Sequence, residues 1–193
     1  MCYIFSVTDV TLFSWLLLIP RVPAQPTKHR VAVWRELRRM GAVPAASGAW
    51  AVPELPAFTE HLDAVRALAE RADGGGLTVL QVSGRSDADT ATLRDAFAAA
   101  RVDEWAEFVA DCGKFDDEID REIAKQKFTF GELEEEEQSL ERLRRWHRDL
   151  LRRDALALPE ATAATERLAA CTDKLAGYAE RVFEANVPSD PAP

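Results

Sequence analysis

The chain is poor in the residues that staple, chelate or span. Its 193 residues include three cysteines, Cys2, Cys112 and Cys171, an odd number at wide spacing with no CxxC and no Cys/His pair. Neither a disulfide framework nor a zinc site is readable from them, and such usage fits a reducing cytoplasm. Three histidines, His29, His61 and His147, are scattered and form no recognisable triad. Walker, GxGxxG, GxSxG and HExxH motifs are all missing. The residues thus suggest no catalytic group, cofactor or metal, and a protein that is not an enzyme is expected. The one strongly apolar run, residues 12–20, is about half of the ~20 residues that a membrane span needs. Residues 1–10 lack the Lys or Arg of a signal peptide, so residues 1–11 are expected to be a disordered leader. The expectation is a cytoplasmic protein with no membrane partner.

What remains is enough for a core, since the chain is 47% hydrophobic and 30% charged. Its formal charge of −9 speaks against a protein that coats nucleic acid along its whole length. That charge is unevenly spread. Residues 1–84 hold eight Lys/Arg and seven Asp/Glu, whereas residues 85–193 hold sixteen and twenty-six.

The periodicity changes at the same place. Residues 14–19 form a continuous apolar run, the pattern of a strand buried on both faces, followed by Pro20, Pro23 and Pro26 in an extended loop. Thr27 is placed to cap a helix to about Met40, with Val33, Trp34, Leu37 and Met40 inward and Gly41 as its stop. Residues 42–46 and 49–53 flank Ser47-Gly48 as a hairpin, residues 55–71 read as a helix, and residues 77–82 as a strand after three glycines. This order, strand-helix-strand-strand-helix-strand, predicts a ferredoxin-like α+β domain over residues 12–84. From residue 85 the strand signals vanish. A short Ala-rich helix over residues 87–100 precedes a stripe of Val102, Trp105, Val109, Cys112, Ile119 and Ile123, flanked by Phe108 and Phe115. Thr129 and Glu132 form a capping box, with Phe128 and Leu133 as its staple, and a last helix covers residues 161–183. Residues 85–185 are therefore expected to be an antiparallel helical bundle, with a disordered tail over residues 186–193.

One patch invites a functional reading. The first 40 residues carry six basic side chains, Arg21, Lys28, Arg30, Arg35, Arg38 and Arg39, against two acidic ones. Arg35, Arg38 and Arg39 share one side of the first helix, opposite Trp34 and Leu37, and could hold DNA phosphate or a small oxyanion. The competing reading is a solvated face paired with the acidic half. No aromatic is expected among these arginines, which weakens base stacking as their use. The acidic runs on the later helices lack the Glu-x-x-His pattern of di-metal bundles and read as solvated faces. His147, beside Trp146, reads as an interior histidine.

Several stretches resemble a known family. Trp15-Leu-Leu-Leu-Ile-Pro20, Trp34-Arg-Glu-Leu-Arg-Arg-Met-Gly-Ala42, Gly48-Ala-Trp-Ala-Val-Pro53 and Lys127-Phe-Thr-Phe-Gly-Glu-Leu133, with Leu143-Arg-Arg-Trp146 and Arg152-Arg-Asp154, are similar to the N-terminal region of the ChrB family of chromate-resistance proteins. The first-helix and hairpin stretches also resemble the middle domain of PaaX-type repressors, itself similar to the Cas2 fold. The resemblance implies a chromate-responsive regulator or sensor whose partners are promoter DNA or chromate. Full-length members carry a further C-terminal domain that this chain is expected to lack. Cas2-type nucleases place an acidic residue at the end of the first strand. Here Ile19-Pro20-Arg21 stands there, against metal-dependent cleavage. The alternative is an interaction protein that forms a homodimer, or docks a separate ChrB C-terminal domain, through the Trp105/Phe108/Phe115 stripe.

Overall fold

The computed structural model describes residues 14–186, so the expected leader and all of the expected tail beyond Asn186 lie outside the described residues. The elements are β1 (Trp15–Arg21), α1 (Thr27–Arg39), β2 (Val43–Ala46), β3 (Ala49–Pro53), α2 (Thr59–Glu70), β4 (Gly76–Val82), α3 (Asp87–Ala124), α4 (Phe130–Arg153) and α5 (Pro159–Asn186), with a 3-10 turn at Pro56–Phe58 before α2. The chain is thus α+β. The strands make one antiparallel sheet in the order β2-β3-β1-β4.

β1 is central because its apolar run has two faces to bury. Leu16 pairs with Val52, and the core joins Leu16, Leu18 and Val52 to Val33 and Leu37 of α1 and Val65 and Ala69 of α2. Residues of the other parity point the opposite way. There Trp15 meets Phe97 of α3 edge-on at 5.9 Å, and Leu93, Ala100, Ala155 and Leu156 pack into the same core. The double burial does not run the full strand, because Ile19 and, on β4, Leu80 are exposed.

The residues group into two compact units. The first runs to Arg101 and includes Arg152–Ala157; the second holds Val102–Leu151 and the residues from Leu158. The sequence set its boundary at 84/85, where strand signals end. The packing of Phe97 on Trp15 is what brings the opening turns of α3 into the first unit. Nor is there a separate short helix over residues 87–100: α3 is one 38-residue helix. No Gly or Pro lies between Asp87 and Cys112 to interrupt it.

The two ends of α1 are closed differently. Its N-cap is Pro26, with no side-chain cap, and Thr27 is already helical rather than the cap expected of it. At the other end Gly41 takes φ +82°, Gly41 N–H donates to Arg38 O and Ala42 N–H to Leu37 O, both at 3.0 Å. This is a Schellman closure, and glycine suits its left-handed residue. Two of the carbonyls that remain are taken by arginines: Arg153 Nη1 donates to Arg39 O and Arg101 Nη1 to Gly41 O, each at 2.8 Å. Arg101 is buried, its guanidinium 4.6 Å from the Phe97 ring centroid.

The second unit has its own core of Trp105, Phe108, Cys112, Ile119, Leu140, Leu143, Cys171, Leu175 and Tyr178. Asp116–Arg167 and Asp120–Lys174 pairs advance together along α3 and α5, while Arg144–Thr172 and His147–Thr165 contacts run in opposite senses, so α4 is antiparallel to α5. Trp105, Phe108 and Phe115 are buried inside this unit, which overturns their expected role as a docking stripe. The capping box is half made. Thr129 Oγ1 accepts from Glu132 N–H at 3.3 Å, but the Glu132 carboxylate pairs with the Lys127 ammonium. His147 is interior, packed against both the Trp105 and Phe108 rings, and burial lowers its pKa. Since Thr165 Oγ1 donates to Ala161 O, it accepts from His147 Nε2–H at 2.9 Å, which sets the neutral tautomer.

Two predictions follow from these contacts. A Cβ on Gly41 would lie 2.6 Å from Arg101 Nη1, whereas one on Gly48, also at positive φ, would meet nothing within 4 Å. Both Ala substitutions strain the backbone, by about 1 to 3 kcal/mol. Gly41→Ala is expected to cost measurably more than Gly48→Ala in urea unfolding, and equal costs would contradict the role given to Arg101. His147 has its folded pKa below its unfolded value, so its contribution is present above about pH 6.5 and is lost as pH falls through the folded value. Unfolding followed by near-UV circular dichroism should show the wild type losing stability over that interval and His147→Gln losing less.

Candidate anion-binding face of the first helix

α1 turns Val33, Glu36, Leu37 and the following Met40 inward. At 100° per residue this inward stripe leaves Lys28, Arg35 and Arg38 on the far side. Lys28, Arg30, Arg35, Arg38 and Arg39 are all exposed. Trp34 corrects the sequence reading. It is 51% exposed, not part of the core, and the Arg38 guanidinium lies 5.8 Å from its ring centroid. Positions 34 and 38 are one turn apart, so they share a face. An aromatic does sit among the arginines.

The inward Glu36 is the residue that the sequence did not flag. Its Oε1 accepts from His61 Nδ1 of α2 at 2.7 Å, and its Oε2 accepts from Arg39 Nη1 at 3.1 Å. A buried carboxylate needs such partners, and His61 lies 25 positions away, too far for any local pattern to reveal. Arg39 is therefore partly neutralised. Arg21 is committed elsewhere: its Nε donates to Gly74 O at 3.1 Å, fastening the end of β1 to the glycine turn before β4. Of the six basic residues singled out, Lys28, Arg30, Arg35 and Arg38 make no ion pair among the described residues.

The first turn of α1 contains no acidic residue. Lys28 and Arg30 stand at the positive end of the helix dipole, an arrangement that disfavours the helix by a few tenths of a kcal/mol per charge. An anion bound there would relieve it. Beside them runs an open groove of about 620 Å³ whose lining includes Pro20, Val22, Arg30, Val31, Trp34 and Trp50. It offers two indole rings and one guanidinium, a surface for a flat apolar group attached to an anion. The nearness of Trp50 on β3 to Trp34 on α1 has no local sequence signal.

Among the described residues no three or more His, Cys, Asp or Glu are placed to hold a metal ion. None of their helices is long and apolar enough to cross a membrane.

These observations define an α+β protein whose first unit displays unpaired cations on one helix. The comparisons with known proteins then give the family. Residues 30–189 match the family described as "Protein ChrB, N-terminal", more than four-fifths of the chain, and the chain belongs to this family. Protein ChrB of Cupriavidus metallidurans is 30% identical to it over 98 residues. That stretch is 51% of this chain and 29% of the relative's length, so the match spans less than a third of that protein. No solved structure matches.

If α1 displays its cations without using them for stability, substitutions should separate cleanly. Glu36→Ala should cost about 1 to 3 kcal/mol in chemical unfolding, from a lost buried acceptor. Arg35→Ala and Arg38→Ala should each stay within about 0.5 kcal/mol. Losses of equal size at all three would make the arginines part of the scaffold.

Proposed function

We propose that the chain is a non-enzymatic regulatory or sensor module of chromate resistance, in which the outer face of α1 binds an oxyanion, DNA phosphate or chromate. The observation that carries this reading is the set of exposed cations, Lys28, Arg35 and Arg38 on that face and Arg30 on its flank beside the groove, without ion pairs among the described residues of a protein with 33 acidic and 24 basic side chains. Guanidinium forks match tetrahedral oxyanions and phosphodiesters alike. Membership of the ChrB family, taken with the resemblance to chromate-resistance proteins, supports the biological setting. The element order and the antiparallel β2-β3-β1-β4 sheet support reading the first unit as ferredoxin-like. The missing nucleotide and nucleophile motifs support a binding role rather than catalysis.

Trp34 favours DNA over a bare oxyanion. An exposed indole beside Arg38, lining one groove with Trp50, adds a stacking surface that a base can use and chromate cannot. The double variant Arg35→Ala/Arg38→Ala should keep the wild-type circular dichroism spectrum and bind a duplex from its own upstream region at least about tenfold more weakly at low salt. Chromate, titrated separately, should show the same loss if it is the anion. Trp34→Ala should weaken DNA binding alone. Undiminished affinity of the double variant for both anions would overturn the assignment.

A further inference from the structure

The inward stripe of α4 contains one side chain that the chain itself leaves unsatisfied. Leu133, Leu140, Leu143 and Leu150 fill the stripe with hydrocarbon, and His147 is paired with Thr165. Glu136 lies among them, only 7% exposed, and makes no hydrogen bond or ion pair among the described residues. The acidic run of residues 134–137 is therefore not wholly a solvated face. Burial, and then the carboxylates of Glu118, Glu122, Glu132 and Glu135, raise the pKa of Glu136. The nearby cations are committed to other acids: Arg121 to Glu118, Lys114 to Asp111, and Lys125 and Lys127 to Glu122. A buried carboxylate in such a place destabilises the fold unless something outside the chain pairs with it.

Glu136 lines a cavity of about 380 Å³ between α3 and α4, within the second unit. Two other lining groups of α4, Ser139 and Arg142, also have no side-chain partner among the described residues. Spaced by three, these residues form one row along the helix, with Glu136 and Arg142 about 9 Å apart along its axis. Exposure rises along the row: Glu136 is buried, Ser139 half-buried and Arg142 exposed. An acceptor thus stands at the buried end, a hydroxyl in the middle and a guanidinium at the open end. Phe115 and Leu143, both buried, give the same cavity an apolar wall.

The buried carboxylate calls for a cation. A metal ion does not fit, since no three or more His, Cys, Asp or Glu are grouped to hold one among the described residues. A primary ammonium has three N–H donors and needs only a few acceptors, which Glu136 and Ser139 supply. The apolar wall suits a methylene chain, and the Arg142 fork suits a carboxylate. We infer that the cavity binds a small aliphatic ω-amino acid, its ammonium held inward by Glu136 and Ser139 and its carboxylate held outward by Arg142. The site uses none of the α1 residues, so it stands whether or not α1 binds an anion.

Calorimetric titration of the full chain with ε-aminocaproate tests it, with hexylamine and hexanoate as controls that each carry one of the two charges. The zwitterion should bind saturably below about 10 mM, hexylamine at least about tenfold more weakly, and hexanoate not at all. Glu136→Gln should weaken zwitterion binding at least about tenfold, and Arg142→Ala should reduce it to the level of hexylamine. In carboxyl NMR spectra Glu136 should titrate at lower pH once the zwitterion is bound, because a neighbouring cation favours the charged form. Glu136→Leu separates binding from folding. It removes an unpaired buried acid, so it should be at least as stable as the wild type in urea and yet bind no zwitterion. The proposal is overturned if ε-aminocaproate shows no saturable binding, or if hexylamine binds the wild type equally well. Undiminished binding by Glu136→Gln, or a Glu136→Leu variant less stable than the wild type, would overturn it equally.

Discussion

Donation by two arginines to the last carbonyl of α1 and to the turn that follows it is the contact on which the first unit's functional surface depends. A Schellman turn at Gly41 closes the helix by backbone alone, yet Arg39 O and Gly41 O still need donors, and Arg153 and Arg101 supply them. Cations at this end also oppose the negative pole of the helix dipole. The buried Arg101 leaves no room for a side chain at Gly41, so the turn, the guanidinium and the Phe97 ring beneath it form one assembly. With its end held and its Val33/Leu37 stripe in the core, α1 keeps the opposite side free of structural duty.

Arginine does two kinds of work in this protein, and the partner of each guanidinium separates them. Arg101, Arg153 and Arg21 spend their donors on backbone carbonyls. Arg35 and Arg38 spend none on the backbone, and Arg38 instead lies over Trp34. The overall charge of −9 therefore says little about either group. The acidic excess lies mainly on α3 to α5, where Arg121–Glu118 and Lys114–Asp111 pairs lie on the surface of α3. Such exposed pairs contribute little to stability. Their arrangement matters more for what each face attracts.

Much of the fold was legible because the chain marks its elements locally. The continuous run of β1, the Ser47-Gly48 hairpin, the three glycines before β4 and Thr129 at the start of α4 each leave a short-range signature. What the sequence concealed depends on distant partners. Trp34 looks like a core residue beside Val33, and only the observed inward stripe shows it standing on the shoulder of the helix. Glu36 looks like one acid among arginines until His61 and Arg39 are seen to satisfy it. Phe97 sits in an Ala-rich segment with no evident stripe, and Trp15 alone explains its place. The aromatic stripe of α3 was read correctly as periodic and wrongly as a free surface, since periodicity does not say which partner covers it.

The central claim is that the outer face of α1, and not the helical unit, meets the anion. Amide chemical-shift mapping during titration with a DNA duplex from the chain's own upstream region tests it most directly. The account predicts that the largest shifts cluster at Lys28, Arg30, Trp34, Arg35 and Arg38, with the Trp34 and Trp50 indole N–H signals among them. Shifts confined to α4 and α5 with α1 silent, or no shifts with DNA or chromate at low salt, would contradict it.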